Sequence, residues 1–322
     1  MPLLKANYFD LLKNRHWLII KNHITLKKLA NLSRSVLCYQ MNRAQVTSFP
    51  LYAKIETTDR CNLGCKHCHD GTVPRKNFLL DYVLYTTLID QLADYLFEVS
   101  LFDQGEPLVD PRIVDFIEYA SSRNIGTVIS TNLSMELSEE KMTRLVESGL
   151  DYMQVAIDGT TREIYEKHRI GGDLELVLGN LKKLIAIRNK LGSRRPIIEW
   201  QMIDYESNKP EQKEARMIAK DLGVDDFAIK PDCFSTYPTT DHLRENRCRL
   251  LWSALAVECD GMVSACLTMD DETLYVGDLT CDSIMEIWNS DEFVDIRKRH
   301  VEDSPGNKIF CKRCNRFDGR GH

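Results

Sequence analysis

Three cysteines lie close together in the segment RCNLGCKHC, at Cys61, Cys65 and Cys68. Thiolates bind soft metal ions, and this spacing suits either an iron–sulfur cluster or zinc. A cubane iron–sulfur cluster normally takes four cysteine ligands, so three would leave one iron open to bind another molecule. Structural zinc prefers four nitrogen or sulfur ligands, and His67 or His69 could supply the fourth. The spacing favours the iron–sulfur cluster and leaves zinc as the alternative.

The composition is that of a globular protein in a reducing compartment. The chain has 322 residues, 43% of them apolar and 28% charged, which predicts about two domains. We find no apolar run of about 18 residues, the length that a membrane span needs, and no signal-peptide pattern. We therefore expect a cytoplasmic protein whose eleven cysteines do not form disulfides and include metal ligands or catalytic thiols.

Charge is distributed unevenly along the chain. Residues 1–50 contain eight Lys or Arg and one acidic residue, whereas the remainder has 34 basic and 47 acidic residues. The acidic body argues against a nucleic-acid partner, because phosphate contacts need clustered Lys and Arg. Residues 1–45 combine leucines and isoleucines with basic residues at helical spacing, which predicts a basic amphipathic arm. The arm either contacts a membrane surface or a partner, or packs on the outside of the main domain.

Short β-rich runs alternate with helix-period segments from residue 51 onward. Six such runs, rich in Val, Ile and aromatic residues, are typical of buried strands, and helices fit between them. The alternation predicts right-handed β–α–β units, a parallel sheet and hence an α/β fold that forms a curved or partial barrel. The predicted strands are 52–58, 98–102, 127–131, 152–158, 197–204 and 227–230.

Polar or glycine-rich segments mark the ends of four consecutive predicted strands. The cysteines follow the first strand, DQGEP (103–107) the second and STNLS (130–134) the third, while DG (158–159) ends the fourth. The carboxyl ends of parallel strands meet at one edge of a sheet, where α/β proteins collect their chemistry. The sequence therefore predicts one site that draws on all four segments.

The pattern changes after about residue 232. Residues 255–268 form two β-type runs around Asp260-Gly261, which predicts a tight hairpin, and a helical segment follows. We expect three parts: a helical arm over residues 1–50, the partial barrel over 51–232 and a small α+β domain over 233–322.

The cysteine spacing, in a loop after the first strand of an alternating α/β chain, resembles the signature of the radical S-adenosylmethionine superfamily. The segment Gln104-Gly105-Glu106-Pro107 is similar to the family's Gly-Gly-Glu-Pro motif, with glutamine in place of the first glycine. The resemblance covers roughly residues 50–230 and implies a partial (β/α)6 barrel. It also explains the missing fourth ligand, because in the family the open iron chelates the amino and carboxylate groups of S-adenosylmethionine.

The resemblance implies a role for each residue of these motifs. The three cysteines would hold a [4Fe–4S] cluster, and Glu106 would meet the methionine amino group of the cofactor. His67 would lie against the adenine, and the segment STN (130–132) would contact the ribose. The implied cofactor-binding set is His67, Gln104, Gly105, Glu106, Pro107, Ser130, Asn132 and Arg169.

Two residues have alternative interpretations. Arg169 resembles a basic residue that meets the cofactor carboxylate, or it pairs with Glu163 or Glu166 on its own predicted helix. Cys233, after the last strand of the barrel, is a candidate catalytic residue that would donate a hydrogen atom to the substrate. Alternatively it fills space as a small apolar residue, which is the more common role of such a cysteine.

A second group of cysteines resembles the twitch domain, the shorter relative of the SPASM domain in the same superfamily. Cys248 is followed by Gly261-x4-Cys266 and then by Cys311-x-x-Cys314. The resemblance implies that these four cysteines hold one auxiliary [4Fe–4S] cluster. A zinc ribbon would use the same four thiolates and is the alternative.

Together the motifs resemble those of a radical S-adenosylmethionine enzyme. Such an enzyme cleaves the cofactor reductively to methionine and a 5′-deoxyadenosyl radical, which removes a hydrogen atom from the substrate. The single-cluster twitch domain resembles that of aminocyclitol alcohol dehydrogenases, which implies a small polar substrate: a sugar, an aminocyclitol or a lipid-linked saccharide. We expect a dehydrogenase or epimerase type, supplied with electrons by a flavodoxin- or ferredoxin-type donor. The alternatives are a maturase of a ribosomal peptide and a non-catalytic iron–sulfur or zinc protein.

Overall fold

The computed structural model describes residues 15–65, 68, 77–232, 248–267 and 274–302. The strands are β1 (Tyr52–Ile55), β2 (Glu98–Ser100), β3 (Gly126–Thr131), β4 (Tyr152–Ala156), β5 (Ile197–Asp204), β6 (Asp226–Pro231), β7 (Ala254–Val257), β8 (Met262–Ser264) and β9 (Tyr275–Asp278). The helices are α1 (Arg15–Ile20), α2 (Leu26–Gln40), α3 (Tyr82–Leu92), α4 (Ile113–Ser122), α5 (Glu139–Glu147), α6 (Arg162–His168), α7 (Leu174–Lys190), α8 (Gln212–Leu222), α9 (Ile284–Ile287) and α10 (Asp291–Glu302). Within these ranges, no helix has the length and apolar character needed to cross a bilayer.

The strands form one sheet in the order β6-β5-β4-β3-β2-β1-β7-β8-β9. Strands β1 to β6 run parallel to their neighbours, and β7 also pairs with β1 in parallel. The sheet is open, with β6 and β9 at its edges. These features confirm the predicted α/β fold and partial barrel. All six predicted strands form, although β1 ends at Ile55 instead of residue 58.

The predicted hairpin around Asp260-Gly261 also forms, but it continues the main sheet instead of building one of its own. β7 and β8 are antiparallel, with Val257 opposite Val263, and β9 adds a third strand that we did not predict. Because β7 lies beside β1, the part of the chain that holds Cys248 and Cys266 is a neighbour of the strand that leads into the first cysteine motif.

The two faces of the parallel strands differ in polarity, because side chains alternate between faces along each strand. The residues that face the helices form the apolar core and include Ala53, Ile55, Val99, Ile129, Met153, Val155, Ile198, Trp200 and Met202. The residues on the opposite, inner face include Lys54, Glu98, Ser100, Ser130, Gln154, Glu199 and Gln201. Parallel sheets are usually apolar on both faces, so the polar inner face is a distinctive feature of this barrel.

Hydrogen bonds between neighbouring strands satisfy the buried polar groups of the inner face. Gln154 Nε2 donates to Glu199 Oε1 at 2.9 Å and to Gln201 Oε1 at 3.0 Å. Tyr152 donates from its hydroxyl to Glu199 Oε2 at 3.0 Å. Buried polar groups are tolerated when they are bonded in this way, so the inner face is a fixed polar surface.

The N-terminal arm covers the amino end of the sheet. Ile19 of α1 packs on Val128 and Tyr152 of the inner face, and His16 Nδ1 lies 2.8 Å from Glu98 Oε2. The part of the arm that the structure describes, from residue 15 onward, therefore packs on the barrel at the amino ends of the strands.

Candidate functional site

Each cysteine of the first motif contacts a different segment of the predicted site. The Cys61 sulfur lies 3.8 Å from Asn132 Nδ2, and the Cys68 sulfur lies 3.9 Å from the Gln104 carbonyl oxygen. Cys65 is hydrogen-bonded to Arg169. The loop after β1 therefore meets the segments that follow β2, β3 and α6 at one edge of the sheet.

Backbone hydrogen bonds hold the cysteine loop in this position. Glu106 N donates to the Arg60 carbonyl at 2.8 Å, and Gly64 N donates to the Ile170 carbonyl at 2.9 Å. One bond precedes Cys61 and the other precedes Cys65, so the loop is anchored on both sides of the first cysteine.

Gly105 occupies a position where only glycine fits. A Cβ at this residue would lie 1.9 Å from the Thr58 carbonyl oxygen, which is far inside van der Waals contact. The QGEP segment can therefore pass directly over the end of β1, after which Pro107 begins a short 3-10 turn. This close approach explains why the motif keeps its second glycine although Gln104 replaces the first.

Glu106 is buried, at 3% exposure, and its carboxylate is held by the chain itself. Oε1 accepts hydrogen bonds from Thr131 Oγ1 at 2.6 Å and Leu108 N at 3.1 Å, and Oε2 accepts one from Asn132 N at 2.7 Å. Burial raises the pKa of Glu106, and the three donors oppose this rise. A carboxylate has about four acceptor positions, so among the described residues one position on Oε2 is left for an ammonium group.

We expect Glu106→Gln to weaken S-adenosylmethionine binding by about tenfold or more, because a charge-assisted hydrogen bond contributes about 1.5–3 kcal/mol. Equilibrium dialysis with the anaerobically reconstituted protein gives the dissociation constant, and iron analysis shows whether the clusters persist. Glu140→Gln changes an exposed glutamate of α5 and should leave the affinity unchanged. Wild-type affinity in Glu106→Gln would show that the QGEP assignment is wrong.

Arg169 pairs with Asp158 and not with a glutamate of its own helix. Its Nε lies 2.7 Å from Asp158 Oδ2, whereas Glu166 pairs with Arg162. The alternative pairing of Arg169 along α6 is therefore wrong. Burial raises the pKa of the Cys65 thiol, and the Arg169 guanidinium lowers it. A cation beside a thiol favours the thiolate, which is the form that binds metal.

Asn132 connects β3 to the cysteine loop. Its Nδ2 donates to Asn62 Oδ1 at 3.0 Å, and its Oδ1 accepts from Ser134 N at 2.8 Å. Ser130, two residues earlier, lies on the inner face opposite Gln154. Asn132 thus orients the loop, while the ribose contacts of Ser130 and Asn132 stay a prediction.

The auxiliary cysteine set is described only in part. Cys248 and Cys266 are both partly buried; Cys248 N donates to His300 Nε2 at 2.7 Å, and Cys266 N donates to Ser264 Oγ at 3.2 Å. The predicted site residues that lie outside the described ranges are His67, Cys233, Cys311 and Cys314.

The described side chains fit an iron–sulfur cluster with an amino acid bound to it. No three His, Cys, Asp or Glu side chains in the described ranges lie close enough together to hold a metal ion. The donor set is nevertheless suitable, because thiols are the ligands of iron–sulfur clusters. Glu106 offers an acceptor for an ammonium group, and Arg169 offers a cation for a carboxylate. The site therefore combines thiols, which are able to bind iron, with groups that match both ends of an amino acid.

A buried contact that the sequence did not predict joins the segment after β1 to the segment after β7. Glu56, at 4% exposure, follows β1 and is hydrogen-bonded to Cys259, which follows β7. Its Oε1 also accepts from Gln104 N at 3.1 Å and Gly105 N at 3.3 Å. Burial, with Asp103 nearby, raises the pKa of Glu56 to about 7. The available signal was Cys259 itself, a cysteine that belongs to neither predicted cluster set.

We expect the titration of Glu56 to lower the free energy of unfolding by about 1 kcal/mol between about pH 6 and pH 7.5, since one pKa unit corresponds to about 1.4 kcal/mol. The carboxyl's pKa rises on folding from 4.5 to about 7, so its stabilising effect is complete below the lower value and is lost as the pH rises through the higher one. Anaerobic denaturant unfolding at both pH values measures the change. Glu56→Gln should flatten it, whereas Glu140→Gln should not. Equal changes in the wild type and Glu56→Gln would contradict this prediction.

Two family models match the chain. The radical SAM superfamily model matches residues 55–194, and the SPASM iron–sulfur cluster-binding domain matches residues 248–315. The first match spans all three cysteines of the first motif, and the second spans all four cysteines of the auxiliary set.

Two curated relatives illustrate the range of activities among similar proteins. The tungsten-containing aldehyde ferredoxin oxidoreductase cofactor-modifying protein of Pyrococcus furiosus is 27% identical over 183 residues, which are 55% of this chain and 50% of that protein. The S-adenosyl-L-methionine-dependent 2-deoxy-scyllo-inosamine dehydrogenase of Niallia circulans is 23% identical over 271 residues, which are 81% of this chain and 91% of the dehydrogenase. The chain spans half the length of the first relative and 35% of others that it matches.

Solved structures share the fold at low sequence identity. Streptococcus suis SuiB bound to the precursor peptide SuiA superimposes with a TM-score of 0.64 at 13% identity, over 83% of this chain and 70% of SuiB. At this identity the likeness establishes the fold alone.

Proposed function

Because the chain belongs to the radical S-adenosylmethionine superfamily and carries a C-terminal iron–sulfur cluster-binding domain, we propose that it removes a hydrogen atom from a small polar molecule and oxidises it. The substrate class is a sugar, an aminocyclitol or a lipid-linked saccharide. The observation that carries this proposal is the polar inner face of the barrel.

The polar inner face offers hydrogen-bonding groups along the depth of the barrel. Gln154, Glu199 and Gln201 already form a bonded ladder across β4 and β5. Nearer the cysteine loop, Lys54 Nζ lies 2.5 Å from Asp103 Oδ1 and donates to the Leu267 carbonyl at 2.6 Å. A site that holds a substrate by its hydroxyl or amino groups needs such fixed polar partners.

The proposed roles of the site residues follow from their chemistry. Cys61, Cys65 and Cys68 would hold the cluster that binds S-adenosylmethionine. When bound, this cofactor supplies the 5′-deoxyadenosyl radical that breaks an unactivated C–H bond. Glu106 would orient its ammonium group and Arg169 its carboxylate. Cys233 stays a proposed hydrogen donor for an epimerase type of reaction.

The C-terminal iron–sulfur domain, residues 248–315, supports oxidation of the substrate as the outcome of hydrogen removal. The Niallia circulans dehydrogenase aligns with this chain over 91% of its own length, which supports a similar reaction for this chain. We propose that Cys248, Cys266, Cys311 and Cys314 hold a cluster that accepts one electron from the substrate radical formed by hydrogen-atom removal, while the second hydrogen leaves as a proton to the solvent. Lys54 of β1 donates a hydrogen bond to the carbonyl of Leu267, the residue after Cys266, which supports a position of Cys266 near the proposed substrate space.

The test is an anaerobic assay with reconstituted clusters, S-adenosylmethionine and a reductant. Candidate aminocyclitols, sugars and short peptides are added one at a time, and 5′-deoxyadenosine and product mass are measured together. A polar substrate should raise the rate of 5′-deoxyadenosine formation above the substrate-free rate. For each 5′-deoxyadenosine formed, one substrate molecule should lose two hydrogen atoms. The Cys61→Ala variant is the blank. If no polar small molecule stimulates the reaction and a peptide does, the proposed substrate class is wrong.

Peptide maturation is the second candidate. SuiB, whose solved complex contains a precursor peptide, shares the fold over 83% of this chain. If a peptide added in the same assay changes in mass, the function is peptide maturation and not the oxidation of a small polar molecule.

We also propose a reducing, cytoplasmic setting and a small flavodoxin- or ferredoxin-type electron donor. None of the eight cysteines in the described ranges forms a disulfide, which suits a compartment where disulfides are rare. Purified flavodoxin with its reductase should replace the chemical reductant in the assay.

A further inference from the structure

Helix α2 differs from an ordinary surface helix, because the side that it buries is mostly polar. Its buried residues are Lys28, Asn31, Ser35 and Cys38. Their helical spacing places them on one side of α2. A surface helix normally turns its apolar side inward, so the apolar side of α2 is left facing outward.

Specific hydrogen bonds fix this rotation of α2. Asn31 Nδ2 donates to the Phe49 carbonyl at 3.0 Å, and Phe49 N donates back to Asn31 Oδ1 at 2.8 Å. Ser35 Oγ donates to the Trp252 carbonyl at 2.8 Å. Lys28 Nζ donates to the Asn124 carbonyl. Turning the helix over would leave these backbone carbonyls and buried side chains without partners, at a cost for each.

The outward face of α2 carries exposed apolar side chains at helical spacing. Leu26 is 87% exposed, Leu37 55% and Met41, which caps the helix, 59%. Leu29 lies between them and is exposed as well. Contiguous exposed apolar residues mark an interaction surface, and we call these four residues the outer stripe.

On the arm itself, every charged side chain around the outer stripe is positive. Lys21, Lys27, Arg34 and Arg43 are exposed, and residues 15–50 contain no Asp or Glu. Lys27 pairs with Asp94 of the body, and the other three extend the positive surface. A leucine stripe bordered by Lys and Arg is the pattern of a helix that lies in the interface of an anionic membrane.

We propose that the outer stripe and its basic border dock on an anionic lipid surface. Charge complementarity selects this occupant, because two copies of the arm would place like charges against each other. The helix is bound to Phe49, Asn124 and Trp252, residues that precede β1, β3 and β7. The docking surface is therefore at the amino end of the sheet, and the cysteine loop is at the opposite end.

The test is sedimentation of the full-length, cluster-loaded protein with vesicles of phosphatidylcholine alone or mixed with phosphatidylglycerol. The wild type should bind the anionic vesicles, and binding should weaken in about 1 M salt, where the screening length falls to about 3 Å. The triple variant Leu26→Ser, Leu37→Ser, Met41→Ser should have an affinity for the anionic vesicles that is lower by about tenfold or more, since each buried methylene adds to membrane affinity. The matched control Val83→Ser, Met217→Ser removes apolar side chains of similar exposure, 70% and 53%, from other helices and should bind as the wild type does.

Three results would overturn the proposal. The first is equal binding by the wild type and the stripe variant. The second is equal binding to neutral and anionic vesicles. The third is a wild-type dimer, detected by light scattering, that the stripe variant dissociates, because a second copy would then cover the surface. Formation of 5′-deoxyadenosine without substrate should be unchanged in the stripe variant, so failure of this proposal and failure of the proposed function are distinguishable.

Discussion

Replacing Cys61, Cys65 and Cys68 together by alanine is expected to remove about four irons per chain, the content of one cubane cluster, and to abolish formation of 5′-deoxyadenosine. The three sulfurs contact Asn132, Arg169 and Gln104, so the variant also removes the connection between these segments. Anaerobic iron analysis and electron paramagnetic resonance measure the loss of the cluster. A 5′-deoxyadenosine assay on the same sample measures the loss of cofactor cleavage.

The matched control is Cys281→Ala, which changes an exposed thiol outside both predicted cluster sets. It should keep the wild-type iron content of about eight per chain, as two cubane clusters require. Stoichiometric zinc without iron in the anaerobically purified wild type would contradict the cluster assignment, and so would wild-type cleavage in the triple variant.

Replacing Cys248 and Cys266 together by alanine should separate cofactor cleavage from substrate conversion. Slow cleavage of S-adenosylmethionine in the absence of substrate should persist, because the first three cysteines are untouched. Turnover of the substrate should fall by at least about a hundredfold, in the range by which loss of metal-site interactions commonly reduces activity. Iron content should drop by about four per chain, and 5′-deoxyadenosine and oxidised product should be counted together.

A folding control is needed for this variant because metal ligation is coupled to folding in small domains. Circular dichroism and the elution volume of the variant should match those of the wild type, and Cys281→Ala again serves as the matched thiol change. A folded double variant that converts substrate at the wild-type rate would show that the auxiliary cysteines take no part in the oxidation.

The sequence was most informative where periodicity determines the structure. The alternation of β-rich runs and helical segments predicted all six strands of the barrel, because buried parallel strands are nearly continuous apolar runs. The same logic placed the segments after β1, β2 and β3 at one edge of the sheet. Contacts such as Cys61 with Asn132 follow from strand order alone, although they join residues that are far apart in the chain.

Sequence reasoning failed where a distant partner decides the outcome. The contact between Glu56 and Cys259 depends on β7 pairing with β1, which no local pattern indicates. Similarly, Arg169 had two glutamates within helical reach but pairs with Asp158, because the buried carboxylate is the stronger competitor for the cation. Helix α2 was correctly predicted as amphipathic. Its orientation could not be predicted, since the carbonyls of Phe49, Asn124 and Trp252 decide which side faces inward.

If α2 docks on a bilayer as proposed, its position at the amino ends of the strands would decide from which side a substrate reaches the cysteine loop. Strand β4 contains five residues, about 16 Å of extended chain at about 3.3 Å per residue, and it separates the arm from the rim. A bilayer under the arm would therefore leave the rim pointing into water, beyond the reach of a head group anchored in that bilayer. Among the proposed substrates, freely diffusing sugars and aminocyclitols suit this arrangement. A lipid-linked saccharide would have to approach from a second membrane.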